Sequence, residues 1–119
     1  MTARIVALLS CLLLATCGEE AHHSTNGGDG VPAAPSTLSG SVMSGGIHLM
    51  WADNSSDEDE FHLERKVAGG AFAVIHTAPF NTRQYHDAPL ASGAYVYRIM
   101  AANEAGMSEM SNEFEITMP

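Results

Sequence analysis

The sequence predicts an all-β fold, a seven-stranded antiparallel sandwich, and three observations carry it. Short apolar runs with a two-residue period fill the chain from Pro35 onward. Turn-forming clusters rich in Gly, Asn and Ser separate these runs at short spacing. Beyond the apolar run at the N-terminus, no stretch shows helical periodicity. Many short strands packed into residues 35–119 argue for two stacked sheets.

The predicted strands run near 37–43, 47–53, 60–67, 71–77, 84–87, 94–103 and 112–118. In the second, Ile47, Leu49 and Trp51 share one face, while His48 and Met50 take the other. In the third, Phe61 and Leu63 alternate with His62 and Glu64. The fourth, "AFAVIHT", is apolar without clean alternation, so its pattern leaves open which of Val74 and Ile75 points inward. In the sixth, Tyr95, Tyr97, Ile99 and Ala101 share a face. In the last, Phe114, Ile116 and Met118 alternate with Glu113, Glu115 and Thr117. Gly45-Gly46, Gly69-Gly70, Asn81-Thr82, Ser92-Gly93 and Glu104-Ala105-Gly106 mark the turns.

Taken in order, "GIHLMWADNSSDEDEFHLERK" and "YHDAPLASGAYVYRIMAANEAGMS" resemble the fibronectin type III domain, particularly its bacterial versions. Trp51 on the second strand, the Asn-Ser…Asp-Glu loop, and Phe61, Leu63, Glu64 and Arg65 carry the first part. Tyr85, Asp87, Leu90, Gly93, Tyr95, Tyr97-Arg98, Ala101, Asn103, Gly106 and Ser108 carry the second. The resemblance spans about Pro35 to Pro119. It implies a seven-stranded immunoglobulin-like sandwich without a disulfide, centred on Trp51. It also places Tyr95 at the tyrosine corner, where a phenol bonds upstream backbone. The expected structural core is Trp51, Phe61, Leu63, Tyr95, Tyr97 and Ile99.

The N-terminus reads differently. One positive charge, Arg4, precedes an apolar run from Ile5 to Ala15, too short to span a bilayer and of signal-peptide length. Leu14-Ala15-Thr16-Cys17 resembles the bacterial lipobox, although Thr16 stands where that motif usually carries Gly, Ala or Ser. The resemblance implies a signal peptide over 1–16, cleavage before Cys17, and lipid attachment at Cys17 through a diacylglycerol and usually an N-acyl chain such as palmitate. Gly18 rather than Asp after the cysteine implies the outer membrane rather than the inner. The alternative is an ordinary secretory signal cut near Ala15 or Ala21, giving an unanchored protein. Residues 17–34 read as a flexible linker of Gly, Ser, Asn, Asp and Pro, spanning about 23 Å on average. Cys11 and Cys17 are the two cysteines, so the sandwich must hold itself together by packing.

The net charge of −9 repels phosphate backbones, so nucleic acid is not an expected partner. The acidic run Asp57 to Glu60 invites a calcium reading: Asp53, Ser55, Asp57, Asp59 and Glu64 fall at template positions 1, 3, 5, 7 and 12. Glu58 occupies the position that needs glycine, so a solvated loop is the default, and no metal site is assigned. A contiguous exposed run also lacks the asymmetry that an acid–base pair needs. His22-His23 with Glu19 and Glu20 would make only a loose metal trap in the linker. Met107 and Met110 raise copper, with gap-filling the commoner role of methionine. No nucleophile elbow or glycine-rich phosphate loop is present, so neither catalytic residues nor cofactors are expected.

One surface is a candidate for partners. On the sheet built from the third, sixth and seventh strands, His62, Glu64, Lys66, Val96, Arg98, Met100, Glu113 and Glu115 should face outward. Cross-strand pairing of Arg98 with glutamates is the simpler role of that face. The expected function is a non-catalytic, lipid-anchored envelope protein presenting one interaction or spacer module. The alternative is a secreted module that binds polysaccharide or protein.

Overall fold

The computed structural model describes residues 30–119. The strands are β1 (Ser36–Met43), β2 (Gly46–Ala52), β3 (Glu60–Val67), β4 (Ala73–Pro79), β5 (Gln84–Asp87), β6 (Gly93–Asn103), β7 (Gly106–Met107) and β8 (Phe114–Met118). One sheet has the order β1-β2-β5, the other β4-β3-β6-β7, with β8 also paired to β6. Every pairing is antiparallel. This is the predicted all-β sandwich with one short addition: β7 is a two-residue return of the β6 hairpin. The expected signal peptide, Cys17, His22-His23 and the expected linker as far as residue 29 lie outside the described residues.

The β1–β2 hairpin shows how local sequence sets register. Ser44 and Gly45 both have positive φ, 49° and 76°, the pair of left-handed residues that a two-residue turn needs to match strand twist. Gly46 then begins β2 where a side chain would collide with the Asp87 carbonyl and Ala88. From there the alternation runs unbroken, and Ile47, Leu49 and Trp51 are all buried.

Phe61 and Leu63 from β3 meet Tyr95, Tyr97, Ile99 and Ala101 from β6 in the core, with Leu38, Ala78 and Met118 at its margins. Trp51 and Phe61 pack with ring centroids 5.8 Å apart, tilted by 57°. Tyr97, Phe61, Ile47, Leu49, Leu63 and Ile99 are the largest fully enclosed side chains of the two sheets. Burial on this scale is worth about 1.5–3 kcal/mol per large side chain, which is how a domain without a disulfide is stabilised.

Polar groups tie the two layers together at three places. At the end of β5, Asp87 accepts from the Tyr97 hydroxyl at 2.7 Å and from Arg65 Nη1 at 2.8 and 3.0 Å. At one edge, His76 of β4 stacks on Tyr85 of β5, with centroids 4.0 Å apart. At the other edge, Asn112 donates to the Leu38 carbonyl and accepts from the Leu38 N–H. Tyr95 reaches back four residues, its hydroxyl donating to the Ala91 carbonyl at 2.9 Å, the contact that defines a tyrosine corner.

The fourth strand lies two residues later than the sequence alone suggests, and the last begins two residues later and ends at the same place. Register in β4 shifts between Leu63 and Glu64, a bulge that accounts for the missing alternation. Ile75 then packs on the core while Val74 is half exposed. Ahead of β8, Ser108 and Ser111 bond β6 through their own N–H groups and accept from its N–H groups with their hydroxyls. Residues 108–113 are thereby held on the sheet without being a strand.

The expected linker ends inside the folded layer. Pro32 is fully buried, and the Gly30 carbonyl accepts from Asn103 Nδ2. Asn54 Nδ2 donates to the Ala34 carbonyl and to Ser36. Apolar Val31 and Pro32 give this stretch something to bury, which Gly/Ser-rich composition alone does not reveal.

Candidate interaction face

The outer face of the larger sheet is built by alternation on β3, β4, β6 and β8. Register places Glu64 opposite Arg98, Lys66 opposite Val96, and Val96 opposite Glu115. Arg98 Nε donates to Glu64 Oε1 at 2.7 Å. Phe72, at the entry to β4, covers both cations of the face. Its ring centre lies 3.9 Å from the Arg98 guanidinium carbon and 5.0 Å from the Lys66 ammonium. Beside it, Lys66, Ala68, Gly69, Val96, Glu113 and Glu115 line a shallow open groove.

Two residues expected to be exposed here are not. Met100 is buried, in line with its small remaining exposure of 8%, and Glu64 is buried beneath the Arg98–Phe72 pair. A carboxylate tolerates that position because the guanidinium supplies a charge-assisted hydrogen bond. His62 pairs with Glu60 at 2.7 Å. The apolar part of the face is therefore Phe72, Val74 and Val96. Phe72 was missed at the sequence level; its signal is a large aromatic in phase with Lys66 just past the Gly69-Gly70 turn.

The acidic loop has its own internal order. Glu58 is buried, accepts from the Ser55 hydroxyl at 2.8 Å, and accepts from the Asn81 N–H at 2.9 Å. Asn81 has a φ of 65°, and this bond fixes the turn before β5. Burial works to raise the Glu58 carboxyl, but the Asn81 amide and Ser55 hydroxyl outweigh it and hold it below its ordinary value. Asp53 moves the other way, raised by burial and by the neighbouring Glu58, although the Ser55 N–H opposes the rise. The calcium template does not converge: Glu58 turns inward to the backbone, and Glu64 is engaged by Arg98 on a strand. Among the described residues, no group of three or more His, Cys, Asp or Glu is placed to hold a metal ion.

Inside the sandwich, Tyr97 is pushed far above its ordinary value by burial first and by the Asp87 carboxylate second. Burial lowers Arg65, but the hydrogen bond and charge of Asp87 reverse that and raise it. Tyr97 therefore keeps its proton and Arg65 its charge at neutral pH. The clamp they form with Asp87 is structural: it fills the core rather than opening onto a cavity.

No family model matches the sequence. The structure is similar to a Fn3-like protein from Clostridium thermocellum, at 24% identity over 74% of this chain and 94% of that one, with a TM-score of 0.61. It is similar to the sixth fibronectin type III domain of human fibronectin type III domain containing protein 3, at 19% identity over 74% and 86%, with a TM-score of 0.64. Domains A168–A170 of titin match at 21% identity and a TM-score of 0.63 over 73% of this chain, which spans 32% of that fragment. The fold is that of the fibronectin type III domain.

Proposed function

We propose that the chain is a non-catalytic, lipid-anchored protein of a bacterial envelope, its sandwich acting as an interaction or spacer module. The observation that carries this reading is the division of labour along the chain. Residues 30–119 account for a sandwich whose two sheets are joined at both edges and by the Tyr97–Asp87 bond. The apolar run and Leu14-Ala15-Thr16-Cys17 precede these residues in the sequence and carry the pattern of an exported lipoprotein. On the outer face Arg98 is engaged by Glu64 and Phe72 and Lys66 by Phe72, which supports a spacing role.

Metabolic labelling with a clickable fatty acid tests the anchor. Wild type should incorporate label and partition with the membrane, whereas Cys17→Ala should do neither. Thr16, where the lipobox usually carries a smaller residue, favours the second reading, a secreted unanchored module. An unlabelled wild type recovered from the medium would replace the first reading with that one.

A further inference from the structure

We propose that the outer face of the smaller sheet binds one copper ion through His48, His86 and Met50. The site stands on the geometry of β2 and β5 alone and does not depend on the anchor. Register puts His48 directly opposite His86, and Met50 directly opposite Gln84. All four project from the same outer face, since Ile47, Leu49, Tyr85 and Asp87 between them point inward. Two imidazoles and a thioether therefore sit at adjacent corners of one cross-strand quadrilateral. Met50 is about half exposed, so its sulfur is available to a ligand from solvent.

The ring geometry suits a shared ion. The imidazole centroids of His48 and His86 are 5.8 Å apart and tilted by 36°. With metal–nitrogen bonds of about 2.0–2.1 Å, two imidazoles on one ion place their centroids about 5–6 Å apart. A second contact prepares one of the rings. His48 Nε2 donates to Gln84 Oε1 at 2.9 Å, which leaves Nδ1 as the nitrogen with the free electron pair. A ligating histidine whose other nitrogen is held by an oxygen is the usual second layer of a metal site.

The donor set selects the metal. Imidazole accepts zinc, nickel and copper, but a thioether favours Cu(I). Calcium and magnesium want several oxygen ligands, usually carboxylates, and none of these four side chains is a carboxylate.

The test is anaerobic transfer of Cu(I) from a chromophoric chelator to the purified, tag-free full chain. That chain carries Cys11→Ser, Cys17→Ser, His22→Ala and His23→Ala, which remove the competing upstream donors. One equivalent should transfer. His48→Ala and His86→Ala should each weaken binding about a hundredfold, and Gln84→Ala about tenfold. Met50→Leu should weaken Cu(I) binding while leaving the weaker Zn(II) binding unchanged. Circular dichroism of each variant reports whether it is folded. Should the alanine variants unfold, the ring resonances of His48 and His86 in the otherwise unsubstituted sandwich decide, because both must shift on Cu(I) addition. Failure of transfer, unchanged affinity in the His48→Ala/His86→Ala double variant, zinc binding tighter than copper, or unmoved ring resonances would each overturn the site.

Discussion

Tyr97 on β6 donates a hydrogen bond from its hydroxyl to Asp87 on β5 across 2.7 Å, joining the two sheets by a charge-assisted bond in a buried site. Tyr97→Phe keeps the ring and deletes the bond. It should cost about 1.5–3 kcal/mol at neutral pH, the range for hydrogen bonds to a charged group. The pH signature is more specific. The folded-state value of Tyr97 is raised well above the unfolded value of about 10. Its contribution is complete below about pH 10 and is lost as pH rises beyond it, because only the unfolded chain then releases the proton. Urea titrations across the alkaline range should show stability falling in wild type and a flatter limb in Tyr97→Phe. Equal slopes would remove Asp87 as the partner that matters.

The corner bond from Tyr95 to Ala91 is a smaller matter. Ala91 is exposed, so its carbonyl can turn to water when the phenol is removed. Tyr95→Phe should therefore cost about 1 kcal/mol, toward the lower end for an intramolecular hydrogen bond. A loss above about 3 kcal/mol in denaturant titration would show that the corner organises more than one contact.

These two tyrosines also mark how far the sequence can be read. Alternation alone puts Tyr95, Tyr97 and Ile99 on one buried face, because period two is a local property of a strand. Asp87 as the acceptor of Tyr97 is not local: it depends on how two sheets stack, and nothing in the spacing of ten residues encodes that. Strand β4 was illegible for a related reason, since its bulge inserts a residue and breaks the period at Ile75. The residues from Ser108 to Glu113 mislead in the opposite sense. They pair with β6 through serine hydroxyls, a device with no periodic signature, so the last strand begins at Phe114. On the candidate face the Arg98–glutamate pairing was legible from register. The burial of Met100 and Glu64 was not, because alternation says which face a residue takes and not how far its neighbours cover it.

Acid should probe the loop between β2 and β3. Glu58 has a lowered folded-state value, so its contribution is present above its unfolded value of about 4.3 and lost as pH falls through the folded one. Asp53, whose value is raised, has the opposite sign: it costs stability when ionised, and protonation relieves that cost as pH falls. Glu58→Gln should lower stability at neutral pH and flatten the acid limb. Asp53→Asn, which keeps an oxygen for the Ser55 N–H, should raise stability at neutral pH and steepen that limb. Thermal unfolding between about pH 2.5 and 7 separates the two. The same direction of change in both variants would mean that they titrate as one unit with no division of roles.

Asn112 closes the edge between β1 and β8, and its removal should be felt well beyond its own position. Register in β1 shifts between Ser36 and Ser39, where Thr37 takes a φ of 50°, a left-handed conformation that a β-branched residue adopts only under constraint. That kink turns the Leu38 N–H and carbonyl away from β2 and toward Asn112, whose amide satisfies both at 2.9 and 3.1 Å. Leu38 itself is buried, so these backbone groups have little access to water as a substitute. Asn112→Ala strands two groups at once and should cost about 2–4 kcal/mol, each unsatisfied group being worth about 1–3. Asn112→Asp retains an acceptor for the N–H but sets a carboxylate against the Leu38 carbonyl, so it should not restore the loss. Hydrogen exchange gives the sharper reading. The Leu38 amide should exchange at the rate of a local opening in Asn112→Ala, while the β3–β6 amides retain protection. Leu38 protection that falls only in step with global stability would show that Thr37 is held by the strand pairing itself and not by the side chain across the edge.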